Sequence, residues 1–291
     1  MSAPDPTPEV ARLKPYTVPA AGRRDFLRLD FNEGLAGPSP RVLERLRRLD
    51  ADDVSLYPDE TAARAAVASR FGLDRQPELD LVLTSGVDEG IRLLCDCFVR
   101  SGEKVVLLDP GYPMYRFYAT LAGAQIVSVS YGEDLSFPEE ALRAAAAGCR
   151  LLIVGNPNNP TGTPAPAGLV EDLAAAFPAT IVLADEAYAE FAGASSIAAL
   201  GRLPNLVVAR TFSKAYGLAG MRAGVLLGGR AALSWVARMR SPYPVNSIAL
   251  LALPAALADE EWVTRYVSEV RLARTDLAAA LGALGVATFP S

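Results

Sequence analysis

The 291-residue chain contains no histidine at all. This absence excludes catalytic triads that depend on a histidine base, and it excludes zinc and haem sites that histidine ligates. No metal site is predicted, and proton transfer must use Lys, Asp, Glu, Tyr, Cys or a cofactor. Cysteine is also scarce, because Cys95, Cys97 and Cys149 are an odd and sparse set that argues against a disulfide framework.

The chain also lacks an excess of basic residues and any long apolar run. Its formal net charge of −5 and its pI of about 5.0 indicate no basic surface for nucleic acid or for an anionic membrane. No apolar run approaches the ~20 residues that span a bilayer, and the first residues lack a signal-peptide pattern. We therefore expect a cytoplasmic protein with neither a nucleic-acid partner nor a membrane partner.

The residues that are present predict a large α/β fold. Hydrophobic residues make up 51% of the chain and the mean hydropathy is +0.21, which is enough for a large buried core. From about residue 61, short apolar runs alternate with helical stretches, a pattern typical of an open twisted sheet with parallel strands covered on both faces. The strand segments lie within residues 79–86, 104–113, 124–130, 151–162, 180–188, 205–214 and 223–229.

Polar motifs follow directly on the carboxyl ends of several of these apolar runs. They are Ser85-Gly86, Asn156 to Gly162, Asp185, and Thr211 to Lys214. In open α/β sheets, ligands bind outside those strand ends. The motifs are therefore expected to converge on one crevice.

Lys214 lies in the segment TFSKAYGLAGMR (211–222), which follows a buried strand and is rich in small residues. A lysine amine is a nucleophile only when deprotonated, and burial beside cationic or phosphate-binding groups favours that form. The segment therefore suits a lysine that forms an imine with an aldehyde cofactor. A solvated surface lysine is the ordinary alternative, which the buried strand disfavours.

Groups that could bind a phosphate surround this lysine. Arg222 could clamp a phosphate through two hydrogen bonds, and the hydroxyls of Thr211 and Ser213 could add donors. The alternative for Arg222 is a turn arginine that caps a strand.

The segment SGVDEG (85–90) provides a second candidate for phosphate binding. It places glycine-rich backbone at a helix N-terminus, where free N–H groups and the helix dipole attract anions. Gly86, Val87 and Asp88 would make backbone contacts there. An ordinary N-cap would look the same in the sequence.

Asp185 ends a strand that is apolar up to Ala184, and a carboxylate there is costly unless it has a partner. A protonated pyridine nitrogen is such a partner, while a helix cap or a salt bridge is the alternative. Tyr188 and Asn159 could reach a ring hydroxyl of the same cofactor. Tyr112 could stack on its ring, or it could simply pack in the core.

Taken together, these segments resemble the fold type I pyridoxal-phosphate aminotransferases, and the histidinol-phosphate aminotransferase branch most closely. The resemblance covers most of residues 26–245. It rests on FNEGLAGPSPRVL (31–43), LYPD (56–59), TSGVDEGIRLL (84–94), DPGYPMY (109–115), NPNNPTG (156–162), DEAYAEF (185–191) and TFSKAYGLAGMRAG (211–224).

The resemblance implies pyridoxal 5'-phosphate as cofactor and Lys214 as the lysine that forms its imine. It implies Asp185 as partner of the pyridine nitrogen, Tyr188 and Asn159 as partners of the ring hydroxyl, and Tyr112 on the ring face. The implied phosphate ligands are Val87, Asp88, Thr211, Ser213 and Arg222.

The resemblance also implies a homodimer, in which Tyr57 reaches the partner's cofactor phosphate. Tyr16 and Asn32 match positions near the substrate, as does Asn159. The implied architecture is a three-layer α/β/α fold with a mostly parallel sheet and a smaller domain. We expect an arm at residues 1–40, a large cofactor-binding domain at 41–245, and the start of a small domain at 246–291. The family continues beyond this point with an arginine that binds the substrate carboxylate, so the small domain is expected to be truncated.

The resulting hypothesis is an aminotransferase that moves an amino group between an amino acid or a histidinol-phosphate-like amino phosphate and a 2-oxo acid. A decarboxylase or oxidase of a modified amino acid in the same fold is one alternative. A cofactor-binding remnant without turnover is another.

Overall fold

The computed structural model describes residues 4–15 and 22–291. The strands found in this part of the chain form a 7-stranded sheet in the order β1-β7-β6-β5-β4-β2-β3. Their bounds are β1 Leu79–Thr84, β2 Lys104–Asp109, β3 Gln125–Ser130, β4 Leu151–Gly155, β5 Ile181–Asp185, β6 Leu206–Thr211 and β7 Gly224–Gly229. Each strand lies within a segment that the apolar runs predict.

Helices connect most of these strands, as expected for an α/β fold. Their bounds are α1 Pro8–Ala11, α2 Pro40–Arg47, α3 Asp52–Ser55, α4 Thr61–Arg70, α5 Gly86–Phe98, α6 Pro113–Leu121, α7 Glu139–Ala146, α8 Leu169–Ala176, α9 Ala189–Ala192, α10 Arg230–Met239, α11 Ser247–Leu257 and α12 Glu260–Ala283. Single 3₁₀ turns lie at Arg23–Asp25, Leu73–Arg75, Ile197–Ala199 and Ala219–Met221.

The sheet is mostly parallel, as the sequence predicts. β2, β3, β4, β5 and β6 pair in parallel, whereas β7 pairs antiparallel with both β1 and β6. The apolar run of β7 does not indicate this direction, because β7 is buried in the same way as the parallel strands β4 and β5. An apolar run records burial on both faces and not the direction of the strand.

Side chains that alternate along the strands build a separate core on each face of the sheet. On one face, odd-numbered residues of β5 and β6 such as Leu183 and Val207 pack with α5, α6 and α10. On the other face, Val182 and Val208 pack with α4, α7, α8 and α11. The two cores make the three layers of the expected α/β/α architecture.

Helices α11 and α12 follow the sheet. α11 begins at the N-cap Asn246, whose side chain accepts a hydrogen bond from the Ala249 N–H, and its buried residues join the same core as α4. Along α12, Val263 is buried, whereas Leu277 is 61% exposed. The apolar side chains of this helix are therefore covered in its first part and exposed further along. The division of the chain into an arm and two domains stays a prediction.

Across the described residues, no helix has both the length and the apolar character needed to cross a membrane.

Candidate active site

A cleft of about 120 Å³ lies where the carboxyl ends of β4, β5 and β6 meet the N-termini of α5 and α6. Parallel strands bring their carboxyl ends to one edge of a sheet, so residues distant in sequence become neighbours there. The cleft is lined by Val87, Asp88, Tyr112, Tyr115, Pro157, Asn159, Asp185, Ala187, Tyr188, Thr211, Ser213, Lys214 and Arg222. The predicted convergence of the strand-end motifs is thus present in the structure.

A wider cavity of about 730 Å³ lies at the amino ends of the strands. Its two cationic side chains already donate to backbone carbonyls, Lys104 to Ala147 and Arg150 to Phe98. None of the predicted site residues within 4–15 and 22–291 lines it. The smaller cleft is therefore the candidate active site, because it brings together polar residues from the predicted strand-end motifs.

Lys214 stands between β6 and β7 with its side chain half-buried in the cleft. Its Nζ donates a hydrogen bond of 2.6 Å to the carbonyl oxygen of Phe31, which belongs to the segment before α2. Burial lowers the pKa of the Lys214 amine, and the nearby Arg222 guanidinium lowers it further. Both effects favour the deprotonated, nucleophilic amine.

Asp185 is the last residue of β5 and is only 4% exposed. Its Oδ2 accepts a hydrogen bond of 2.8 Å from the Tyr115 hydroxyl, and its Oδ1 accepts one of 3.1 Å from the Ala187 N–H. Burial raises the pKa of the carboxyl to about 6, while these two hydrogen bonds oppose the rise. Asp185 is therefore mostly ionised at neutral pH. Its carboxylate lines the cleft and can accept further hydrogen bonds there.

Two tyrosines lie beside Lys214 and Asp185. The Tyr188 hydroxyl accepts a hydrogen bond of 3.0 Å from the Asn32 amide, and the Lys214 Nζ lies 5.7 Å from the centre of the Tyr188 ring. Burial raises the pKa of the Tyr188 hydroxyl. The Tyr112 hydroxyl donates a hydrogen bond of 2.8 Å to Asp88, which fixes its ring at the cleft wall.

The opposite end of the cleft is built for an anion. Helix α5 begins at Gly86, and the side chain of its N-cap residue Ser85 makes no capping hydrogen bond within the described residues. Gly86 has φ +75°, and a Cβ there would lie 2.6 Å from the Arg222 guanidinium, so only glycine permits this approach. Arg222 itself has φ +54°, a strained conformation for a side chain of this kind. Its guanidinium pairs with Asp88 at 3.1 Å.

Two hydroxyls complete this end of the cleft. Thr211 Oγ1 accepts a hydrogen bond of 3.1 Å from the Ser213 N–H. The Ser213 Oγ is buried and has no hydrogen-bond partner in the described structure. An orphaned hydroxyl beside free helix N–H groups and an arginine is what a phosphate site requires.

The remaining predicted residues lie elsewhere. Tyr57 is 80% exposed and stacks on Tyr243, with ring centroids 4.5 Å apart, outside the cleft. Tyr16 lies outside the described residues. Asn32 is not among the described residues that line the cleft, but its amide donates a hydrogen bond to Tyr188, which does.

Sequence reasoning missed Tyr115 as a site residue, although it belongs to the DPGYPMY motif. The detectable signal was its spacing, because Tyr112 and Tyr115 share a face of the first turn of α6. It also missed the carbonyl of Phe31, for which the side-chain sequence carries no signal.

The chain matches the family model "Aminotransferase class I and II" over residues 24–291. It is 39% identical to a histidinol-phosphate aminotransferase of Roseiflexus castenholzii, with 98% of this chain and 80% of the relative covered. The corresponding enzyme of Symbiobacterium thermophilum is also 39% identical, with 97% and 81% covered. A crystal structure of histidinol-phosphate aminotransferase from Sinorhizobium meliloti, in complex with pyridoxal-5'-phosphate, superposes with a TM-score of 0.88 at 30% identity. That match covers 100% of this chain and 81% of the other.

The fold is thus that of enzymes that carry pyridoxal phosphate on a mostly parallel α/β sheet. The chain belongs to the family of class I and II aminotransferases. The expected three-layer fold, the expected cofactor and the expected transaminase activity are confirmed. These matches favour transamination over the decarboxylase, oxidase and non-catalytic alternatives.

The residues of the cleft fit this cofactor at both of its charged ends. The unpartnered Ser213 hydroxyl and the glycine beneath Arg222 fit a phosphate. The buried Asp185 carboxylate fits the ring nitrogen. The Lys214 amine, with its lowered pKa, fits the aldehyde.

Proposed function

We propose that this aminotransferase moves an amino group between a histidinol-phosphate-like amino phosphate, or an amino acid, and a 2-oxo acid. The names of the Roseiflexus and Symbiobacterium relatives support this substrate class. The observation that carries the proposal is the half-buried Lys214 amine, which shares one small cleft with the Asp185 carboxylate and an anion-binding helix N-terminus.

Lys214 is proposed to hold the cofactor through its amine and to act as the base of the reaction. Because burial and Arg222 lower its pKa, more of the amine is deprotonated near neutral pH than in an exposed lysine. In a chain without histidine, this amine is the group best placed to take a proton from the substrate's α-carbon and return it.

Asp185 is proposed to pair with the ring nitrogen of the cofactor and to keep it protonated. Pyridoxal 5'-phosphate, when bound, supplies a ring that withdraws electrons from the substrate's α-carbon. Tyr188 and Asn159 are proposed to contact the ring hydroxyl, and Tyr112 to cover the ring face. All three side chains line the cleft, which supports these roles.

The phosphate of the cofactor is proposed to lie at the N-terminus of α5. Backbone N–H groups at Gly86, Val87 and Asp88 would bind it together with Arg222 and two hydroxyls. The hydroxyls are those of Thr211 and Ser213.

A homodimer is the final part of the proposal. The Tyr57 ring is exposed beside two further exposed apolar side chains, Val54 and Leu56. Such clusters are often covered by a partner, and Tyr57 would then contact the partner's cofactor phosphate. Sedimentation analysis tests this assembly, since a monomer at micromolar concentration would contradict it. The cytoplasmic location expected from the sequence stays a prediction.

The attachment of the cofactor is tested by borohydride reduction followed by peptide mapping. The chain has lysine at positions 14, 104 and 214 and nowhere else, so the labelled peptide is unambiguous. We expect the label on Lys214, its loss in Lys214→Ala, and full labelling in the control Lys104→Ala. Labelling that persists unchanged in folded Lys214→Ala would overturn the proposed attachment.

The substrate class is tested by single-turnover spectra of the cofactor-loaded protein with a panel of amino donors. The panel contains histidinol phosphate, phenylalanine and aspartate, with 2-oxoglutarate as acceptor. We expect histidinol phosphate to react fastest. A faster reaction with either amino acid would move the proposal to that donor class.

A further inference from the structure

Tyr115 lies in the first turn of α6, is 5% exposed, and belongs to the core on the α5, α6 and α10 face of the sheet. Its ring packs in that apolar core, but its hydroxyl donates a hydrogen bond of 2.8 Å to the Asp185 Oδ2. A buried tyrosine normally finds one partner for its hydroxyl, so the choice of partner carries information.

The surrounding backbone makes room for this hydroxyl. Gly155 ends β4, next to β5, and a Cβ at that position would lie 3.3 Å from the Tyr115 Oη and 3.2 Å from the Asn158 Oδ1. Such distances are tighter than ordinary van der Waals contact. Because Gly155 has no side chain, the end of β4 leaves space for the hydrogen bond between Tyr115 and Asp185.

The two oxygens of Asp185 are held from different elements of the fold. The Tyr115 hydroxyl binds Oδ2 from α6, and the Ala187 N–H binds Oδ1 from the chain after β5. Two donors on different oxygens fix the plane of a carboxylate. The ring of Tyr115 also meets the edge of the Tyr112 ring at 5.5 Å and 82°, so it supports a second wall of the cleft.

We propose that Tyr115 is a positioning residue, whose hydroxyl orients the Asp185 carboxylate and holds it ionised for pairing with the ring nitrogen of the cofactor. This inference rests on the role proposed above for Asp185.

The hydrogen bond from Tyr115 opposes the influences that raise the pKa of Asp185. Burial is the main cause that raises the pKa of Asp185 to about 6; the carboxylates of Asp88 and Glu186 contribute to the rise, whereas Tyr115 and the Ala187 N–H oppose it. Tyr188 and the Lys214 amine also face this carboxylate. Burial raises the pKa of the Tyr115 hydroxyl well above its usual range, so this hydroxyl remains a donor at neutral pH.

The first test needs no cofactor. Tyr115→Phe removes only the hydroxyl, and Tyr118→Phe, on the same helix but outside the cleft, is the matched control. The carboxyl ¹³C signal of Asp185, assigned by its loss in Asp185→Asn, is titrated in the cofactor-free protein. Because one hydrogen bond to a charged group is worth about 1.5 kcal/mol, we expect Asp185 to bind its proton roughly tenfold more tightly in Tyr115→Phe. An unchanged titration would overturn the proposal.

The second test separates positioning from simple structural support. Affinities are measured for pyridoxal 5'-phosphate and for its 1-deaza analogue, in which carbon replaces the ring nitrogen. We expect Tyr115→Phe to weaken the natural cofactor about tenfold and the analogue hardly at all. Equal weakening of both ligands would show a general packing role and contradict the proposal.

Two controls keep the outcomes distinct. If the wild-type protein binds neither ligand, the proposed function itself is contradicted. The carboxyl titration still tests the contact between Tyr115 and Asp185 in that case. If Tyr115→Phe does not fold, Gly155→Ala is measured in its stead, since it crowds the hydroxyl and keeps both partners. The same expectations and the same contradicting results apply to it.

Discussion

The end of β5 carries two adjacent carboxylates whose surroundings are opposite in kind. Glu186 is fully buried and its two oxygens accept hydrogen bonds from the Ser195 hydroxyl, the Ser196 N–H and the Arg210 guanidinium. Asp185 accepts one hydrogen bond on each oxygen and lines the cleft. A carboxylate whose bonds are all supplied by the protein has a structural role, whereas one with bonding capacity left over can serve a ligand.

The alternation of side chains along a strand produces this difference. Successive residues point to opposite faces of the sheet, so Glu186 lies on the face of Val182, while Asp185 lies on the face of Leu183 and meets Tyr115 of α6. β6 repeats the arrangement, since Arg210 pairs with Glu186 and Thr211 lines the cleft. We call the set Glu186, Glu190, Ser195 and Arg210 the closed polar cluster.

The largest expected effect comes from breaking the closed polar cluster. Arg210→Met removes the cation that pairs with Glu186 and Glu190 and leaves two buried carboxylates uncompensated. Because unpaired buried charges are costly, we expect a loss of about 3–5 kcal/mol in the free energy of unfolding, measured by urea denaturation. Arg92→Met, which loses an exposed pair with Asp96, should change this free energy by less than about 0.5 kcal/mol. A loss of stability no greater than that of the control would show that the closed polar cluster does not stabilise the fold.

A smaller effect is expected for Asp185, the carboxylate that lines the cleft, because its raised pKa makes the free energy of unfolding depend on pH. The folded protein holds the Asp185 proton more tightly than the unfolded chain does, because burial raises its pKa from 3.8 to about 6. Between these values the folded state binds more protons, so the free energy of unfolding falls as pH rises. Relative to Asp185→Asn, the cofactor-free wild type should lose on the order of 3 kcal/mol between pH 4 and pH 7.

Denaturation curves of both proteins at several pH values measure this difference. Asp134→Asn, at an exposed position, serves as the control and should show no comparable trend. A difference between wild type and Asp185→Asn that stays constant across the pH range would contradict the raised pKa.

The smallest expected effect concerns the open hydroxyl of Ser213. Ser213→Ala removes a buried hydroxyl that has no hydrogen-bond partner among the described residues, so the cofactor-free protein should have an unchanged or slightly higher free energy of unfolding. Its affinity for pyridoxal 5'-phosphate should fall about tenfold, because a hydrogen bond to a charged group is lost. Fluorescence titration measures this affinity, with Ser234→Ala on the outer side of α10 as the control. An unchanged affinity would remove Ser213 from the phosphate site.

Much of this arrangement could be predicted from the sequence, because its signals are local. Apolar runs mark the strands, and the polar residues that follow them mark the cleft, so Lys214, Asp185 and Arg222 were placed together correctly. Their individual roles stay predictions. The proposed partner contact of Tyr57 stays a prediction as well, and Tyr16 lies outside the described residues.

What the sequence could not predict depends on pairs distant along the chain. The contact between Tyr115 and Asp185 spans 70 positions, and the one between Lys214 and the Phe31 carbonyl spans 183. The direction of β7 likewise depends on its pairing with β1 and β6, which no local pattern records. Such contacts follow from the topology of the sheet, and local residue patterns do not encode them.

The scarcity of lysine has a consequence for the chemical selectivity of the whole molecule. An aldehyde in solution condenses with any accessible side-chain amine, and proteins with many surface lysines collect such adducts at random. This chain carries most of its positive charge on arginine, which does not react readily with aldehydes. Few other amines are therefore present that could form adducts with the cofactor. Intact-mass spectra after reduction should accordingly be simple, so that the fraction of protein loaded with cofactor can be read as a single mass shift.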